Sequence, residues 1–108
     1  MQKSIDELIQ YIAKNFPFDE KHYPELKNAT EQQRLNFAIR HLTLHFAKVT
    51  GKIATVAEAS DHGSNPNLEE LRLSIPKALI NTLRLAELVG MTEADIIKAI
   101  EDKYENKL

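Results

Sequence analysis

Apolar residues recur along this chain at helical spacing, and no stretch keeps the alternation of a half-buried strand for long. Four helices follow from that spacing and its punctuation. Ser4 with Glu7 has the form of a capping box, and Ile5, Leu8, Ile9 and Ile12 make one apolar face, so the first helix is expected from Ser4 to Lys14. Phe16-Pro17-Phe18 ends it, and residues 16 to 29, with Pro17 and Pro24, read as a connecting loop. The second helix begins at Thr30, with Gln33 at the box position, and runs to about Ala59, roughly 30 residues or about 45 Å. Leu35, Ile39, Leu42, Phe46, Val49, Ile53 and Val56 alternate steps of four and three along it, a heptad seam for lengthwise packing. Phe37, Leu44 and Ala54 give this helix a second apolar side. Gly51 interrupts it at a cost of about 1 kcal/mol, which places a close helix crossing there.

Asp61 to Pro66 reads as a turn, and Asn67 caps the third helix with Glu70 at the box position. Leu68, Leu71, Ile75, Leu79, Thr82, Ala86 and Val89 are its expected inner face. Pro76 inside this pattern is expected to kink or restart the helix, with Ser74 as a local cap, and Gly90 to stop it. Thr92 with Asp95 starts the fourth helix, from which Ile96, Ile97, Ile100 and Tyr104 are expected to pack inward. The predicted fold is all-α, an antiparallel four-helix bundle around a long helix with a heptad seam, in a single domain over residues 1–108.

Composition narrows the function. The 108 residues carry 14 Lys+Arg and 16 Asp+Glu, a formal net charge of −2, which argues against nucleic acid or an anionic membrane as partner of the whole domain. There is no cysteine, so disulfides, zinc-thiolate sites and thiol nucleophiles are excluded. No apolar run approaches the roughly 18 residues of a membrane span, and Met1 to Glu7 lacks the apolar core of a secretory signal, so a cytoplasmic location is expected.

Three segments carry a resemblance: Ala47 to Ile53, Ile80 to Met91, and Lys98 to Lys107. Over about two thirds of the chain, residues 30–107, the sequence resembles the MazG-like, all-α NTP pyrophosphohydrolase superfamily; residues 1–29 find no counterpart in it. Leu85-Ala86 and Gly90 match the end of the family's third helix, and Lys103 with Asn106 match the Lys and Asn that the family's last helix places near nucleotide phosphates. The resemblance implies a bundle of the MazG-like type, self-association as a homodimer or tetramer, and nucleotide chemistry. In the family, Glu-Glu-x-x-Glu on the long helix and Glu-x-x-Asp on the next hold Mg²⁺. Here those positions fall on Lys48, Val49 and Lys52, and on Ser74 and Lys77. None is acidic, and no Asp or Glu occurs between Gln32 and Ala57.

Mg²⁺ takes oxygen ligands at about 2.0–2.1 Å, usually through carboxylates. An ammonium cannot ligate it and repels it, by about 4 kcal/mol per unit-charge pair at about 4 Å and an effective dielectric of about 20. The Mg²⁺ of the family therefore has no ligands here, and hydrolysis by the family's mechanism is not expected. No catalytic residue and no cofactor is assigned.

Arg34, His41, His45, Lys48, Lys52 and Thr55 lie on one stripe of the long helix at about 100° per residue. His41, His45, Lys48 and Lys52 of this stripe, with Lys77, Lys103 and Asn106, are the candidate residues for binding a phosphate or nucleotide without metal. The plainer reading is a solvated face whose long side chains lie over apolar surface. His41 and His45 are spaced to clamp a transition metal, but that helix offers no third ligand nearby. Two rivals to a non-hydrolysing binding or regulatory module stay open: a pyrophosphohydrolase using displaced carboxylates such as Glu58, Asp61, Glu69 or Glu70, and a purely structural bundle.

Overall fold

The structure, a computed structural model, describes residues 2–105. It is all-helical: α1 (Ile5–Asn15), a short 3-10 turn (Pro24–Leu26), α2 (Glu31–Asp61), α3 (Leu68–Leu88) and α4 (Glu93–Glu105). Among the described residues there is no strand, and no helix is long and apolar enough to cross a membrane. The helix starts are set by local chemistry. Ser4 with Glu7 and Thr30 with Gln33 form reciprocal capping boxes, and the Asn67 side chain accepts from the Glu70 N–H. At α4 the Asp95 carboxylate accepts from the Thr92 N–H, and the Thr92 hydroxyl accepts from the Asp95 N–H. Gly90, at φ 74°, ends α3, and the Met91 N–H reaches back to the Ala86 carbonyl at 2.8 Å.

α3 folds back along α2. Residues Arg34, Leu35 and Ala38 of α2 line one cleft with Arg84, Glu87 and Leu88 of α3, while Val56 and Ala59 line another with Asn67 and Glu70. The α2 side of this contact follows the expected seam: Leu42, Val49 and Val56 are buried, Leu35, Phe46 and Ile53 half-buried, and Ile39 alone is exposed.

The α3 side corrects the expected inner face. Leu68, Ile75, Leu79, Thr82 and Val89 are exposed, and the seam runs instead through Leu71, Ser74, Ala78, Asn81, Leu85 and Leu88. Small side chains at Ser74 and Ala78 let the two backbones approach, which the larger residues of the other face would prevent. α3 neither restarts at Pro76 nor uses Ser74 as a cap: Ser74 is 1% exposed, and Pro76 sits on the open side. There the proline removes the N–H that would otherwise donate to the Arg72 carbonyl. Gly51 is not at a crossing either. A Cβ added there would meet nothing within 4 Å.

The segment between α1 and α2 is part of the core rather than a surface connection. Phe18 and Leu26 are buried with Ala38 and Leu42, and Phe16, Tyr23 and Phe37 pack against them. On the second apolar side of α2, Phe37 is covered in this way, whereas Leu44 and Ala54 stay exposed. α1 packs on the C-terminal part of α3, burying Ile9 and Ile12. α4 joins α1 through paired bonds between helix starts: Ile5 N–H donates to Glu93 Oε1 at 2.9 Å, and Glu93 N–H donates to Asp6 Oδ1 at 2.7 Å. α4 buries none of its residues. Ile97, Ile100 and Tyr104, expected inward, are exposed, and Ile96 is half-buried. The inward pattern of α4 fails because, among the described residues, no other helix packs along it.

Leu42 is 0% exposed. Leu42→Ala is expected to cost about 2–5 kcal/mol in urea denaturation, through lost burial and the cavity left behind. Leu44→Ala, two residues away and exposed, is expected to change the midpoint by no more than about 0.5 kcal/mol equivalent.

Candidate functional site

The polar stripe of α2 divides into three parts. Arg34, nearest the helix start, donates from Nη1 to the Phe18 carbonyl at 3.0 Å. His41 lies among rings, with centroids of Phe18, Tyr23 and Phe37 at 5.7, 5.1 and 5.7 Å, and its Nε2 stands 3.3 Å from the Tyr23 hydroxyl. His45 follows one turn on, 4.5 Å from His41 between ring centroids, with Phe16 edge-on to both. Lys48 and Lys52 come last, exposed, and among the described residues neither forms an ion pair.

The positions aligned with the family's acidic motif split in the same manner. Val49 and Ser74 are inside the α2–α3 seam, while Lys48, Lys52 and Lys77 are outside it and exposed. Lys77 is midway between the two levels at which α2 and α3 meet in the clefts, as Lys48 is on α2, so these amines share one level of the hairpin. Further along, Lys52 and Thr55 line a cleft of about 330 Å³ with Asn67 and Glu70 at the start of α3, where the Asn67 side chain caps the Glu70 N–H and the carboxylates of Glu69 and Glu70 occupy the first turn. Lys103 is exposed in the last turn of α4, about 15 Å along that helix from its joint with α1. Asn106 lies outside the described residues.

The donor set does not fit a divalent metal. Protonated amines have no free electron pair, and among the described residues no three His, Asp or Glu side chains gather as a group that would hold one. Glu58, Asp61 and Glu69 are exposed at or beyond helix ends, and only Glu70 is half-buried.

Sequence reasoning missed Arg84. It is 6% exposed, donates from Nε to the Phe16 carbonyl at 2.8 Å, pairs through Nη1 with Glu87, and lies 5.1 Å over the Phe18 ring. Arg34 and Arg84 thus take the carbonyls on either side of Pro17 and fix the aromatic segment against both long helices. The signal was present as an arginine set within Leu83-Arg84-Leu85-Ala86, a charge inside an apolar run. A cleft of about 250 Å³ lies beside it, lined by Phe18, Glu31, Arg34, Arg84 and Glu87 among others.

Arg84→Met is expected to lower stability by about 1.5–3 kcal/mol, because the Phe16 carbonyl and Glu87 lose a charged donor. Arg84→Lys is expected to restore only part of this, since a point charge cannot serve both acceptors as the fork does. Urea midpoints of the three proteins check both.

Desolvation among the rings holds the His41 pKa below its ordinary 6.5, with the neighbouring His45 adding to the shift and Glu25 opposing it. A base with a lowered folded-state pKa binds fewer protons folded than unfolded. Its contribution is therefore intact above about pH 6.5 and is lost as the pH falls from there toward the lowered folded value. Denaturation midpoints are expected to fall between pH 7.5 and 5.5, and His41→Phe to flatten that slope.

No family model, curated protein or solved structure matches this chain, so the MazG-like resemblance rests on the residues quoted for it.

Proposed function

We propose that this chain is a MazG-like helical module of the antiparallel four-helix type that binds phosphate-bearing anions, nucleotides among them, without Mg²⁺ and without hydrolysing them. The observation that supports the reading is that Lys48, Lys52 and Lys77 are each exposed, close in sequence to the seam residues Val49 and Ser74, and free of ion pairs among the described residues. These are three of the positions at which the resembling family sets carboxylates. Their sign selects the opposite ligand: a phosphate oxygen accepts from an ammonium directly, so no metal bridge is needed. His41 has a different part in this reading, as a ring in the aromatic cluster, while His45 is exposed one turn from Lys48.

A purely structural bundle is the second reading, favoured by the uncovered side of α3. A hydrolase with displaced carboxylates has less support, because among the described residues Glu58, Asp61, Glu69 and Glu70 form no group of three that would hold a metal.

Thermal unfolding in EDTA with pyrophosphate, ATP and dGTP tests the proposal. At a hundred times Kd a ligand stabilises the folded state by about 2.7 kcal/mol, a rise of several degrees for a chain of this size. The rise is expected with EDTA present and is expected to vanish in Lys48→Ala/Lys52→Ala. Flat melts with every anion would defeat it, and so would release of pyrophosphate from nucleoside triphosphates at enzyme-like rates once Mg²⁺ is added.

A further inference from the structure

Among the described residues Arg84 is the one charged side chain more than nine-tenths buried. With Arg34, Glu31 and Glu87 it lines the cleft of about 250 Å³ that α2 and α3 share. The four charges, two of each sign, cancel, and Phe18, Leu35 and Leu88 add an apolar wall. A ligand of a single sign, phosphate included, meets one repelling pair here. This cleft and the lysines farther along α2 therefore select different chemistry.

The hydrogen bonds leave particular groups over. Arg84 uses Nε for the Phe16 carbonyl and Nη1 for Glu87. Its Nη2 has no partner among the described residues, yet it is not sealed in: Ser60 Oγ is the one enclosed side-chain polar atom there without a hydrogen bond. Nη2 thus keeps access to a ligand, on a residue that lines the cleft. Arg34 uses Nη1 for the Phe18 carbonyl, which leaves Nε–H and Nη2–H, the parallel pair that matches the two oxygens of a carboxylate. Glu31 stands three residues before Arg34, a spacing at which opposite charges on a helix ordinarily pair. They do not pair here, because the Phe18 carbonyl holds the guanidinium, and Glu31 has no ion-pair partner among the described residues. One cleft therefore presents free cationic donors and a free anionic acceptor that do not neutralise each other.

We propose that this cleft binds a free α-amino acid with an aliphatic side chain. Its carboxylate lies on the Nε–Nη2 edge of Arg34 and on Nη2 of Arg84, its ammonium on Glu31, and its side chain against Phe18, Leu35 and Leu88. An α-amino acid carries both charges on one carbon, so it answers both sets of free groups at once. A carboxylic acid brings no cation for Glu31, and an amine brings no anion for the guanidiniums; each leaves a desolvated charge without a partner. The volume agrees, since it is below the roughly 300–1,000 Å³ of pockets for drug-sized ligands. Lys48, Lys52 and Lys77 are not part of this cleft, so the assignment is independent of the anion site.

NMR titration of the full chain with L-leucine tests it. The backbone amides of Leu35, Ala38 and Leu88, which line the cleft, are expected to shift saturably at millimolar leucine. Isocaproate, leucine without its amine, and isoamylamine, leucine without its carboxyl, are each expected to bind at least about tenfold more weakly. Glu31→Gln, at an exposed position, is expected to lower the affinity for leucine to that for isocaproate and to leave isocaproate no weaker. Absence of leucine-dependent shifts overturns the proposal, as do shifts confined to the surroundings of Lys48 and Lys52. Equal affinity for leucine and isocaproate overturns it too, as does undiminished leucine binding in Glu31→Gln. Should that variant fail to fold, the two analogues on the parent chain decide.

Discussion

The helices of this protein differ in length, and much of its structure follows from how they share one another's apolar sides. α2, with 31 residues, offers a full-length seam, and α3 lies along it. α1, with 11 residues, then covers only the far end of α3. A helix hydrophobic on more than one side has to bury both, so a short neighbour leaves part of the work to something else. The buried seam and the open side of α3 are consequences of the same mismatch, as is the exposure of α4, which is attached by its start and packs little beyond it.

What closes the other end of the hairpin is not a helix but the aromatic segment after α1. Phe16 and Phe18 bring rings into the space between α2 and α3, and their carbonyls, which no helix or strand satisfies, are taken by Arg84 and Arg34. A buried guanidinium is tolerable because it is neutralised by Glu87 and lies over a ring face. His41 and Tyr23 complete the cluster. Half of what looked like one basic stripe on α2 is therefore committed to holding this segment, and the lysines further along are left at the surface.

The resulting distribution of charge bears on chemistry. The middle of the α2–α3 seam is filled by Val49 and Ser74, and amines flank it. Protonated amines offer no electron pair to a hard cation, so the proposed ligand of this surface is an oxyanion.

Capping boxes at Ser4, Thr30 and Thr92 fixed the helix starts from the sequence alone, because each depends on residues three apart in the same chain. The heptad seam of α2 and the absence of carboxylates between Gln32 and Ala57 were equally local and equally legible. The face that α3 turns to α2 was not. α3 is apolar on two sides, and the choice between them went to the side with Ser74 and Ala78, which a helical wheel ranks lower but close packing favours. Arg84 illustrates the same division. Its place in an apolar run was visible, yet its partners, Phe16 at 68 residues' separation and Phe18, belong to a segment that has no periodicity to read. Local hydrogen bonding and periodicity are written in neighbouring residues; which surfaces meet depends on the lengths and volumes of elements far apart in the chain, and only the tertiary structure sets that.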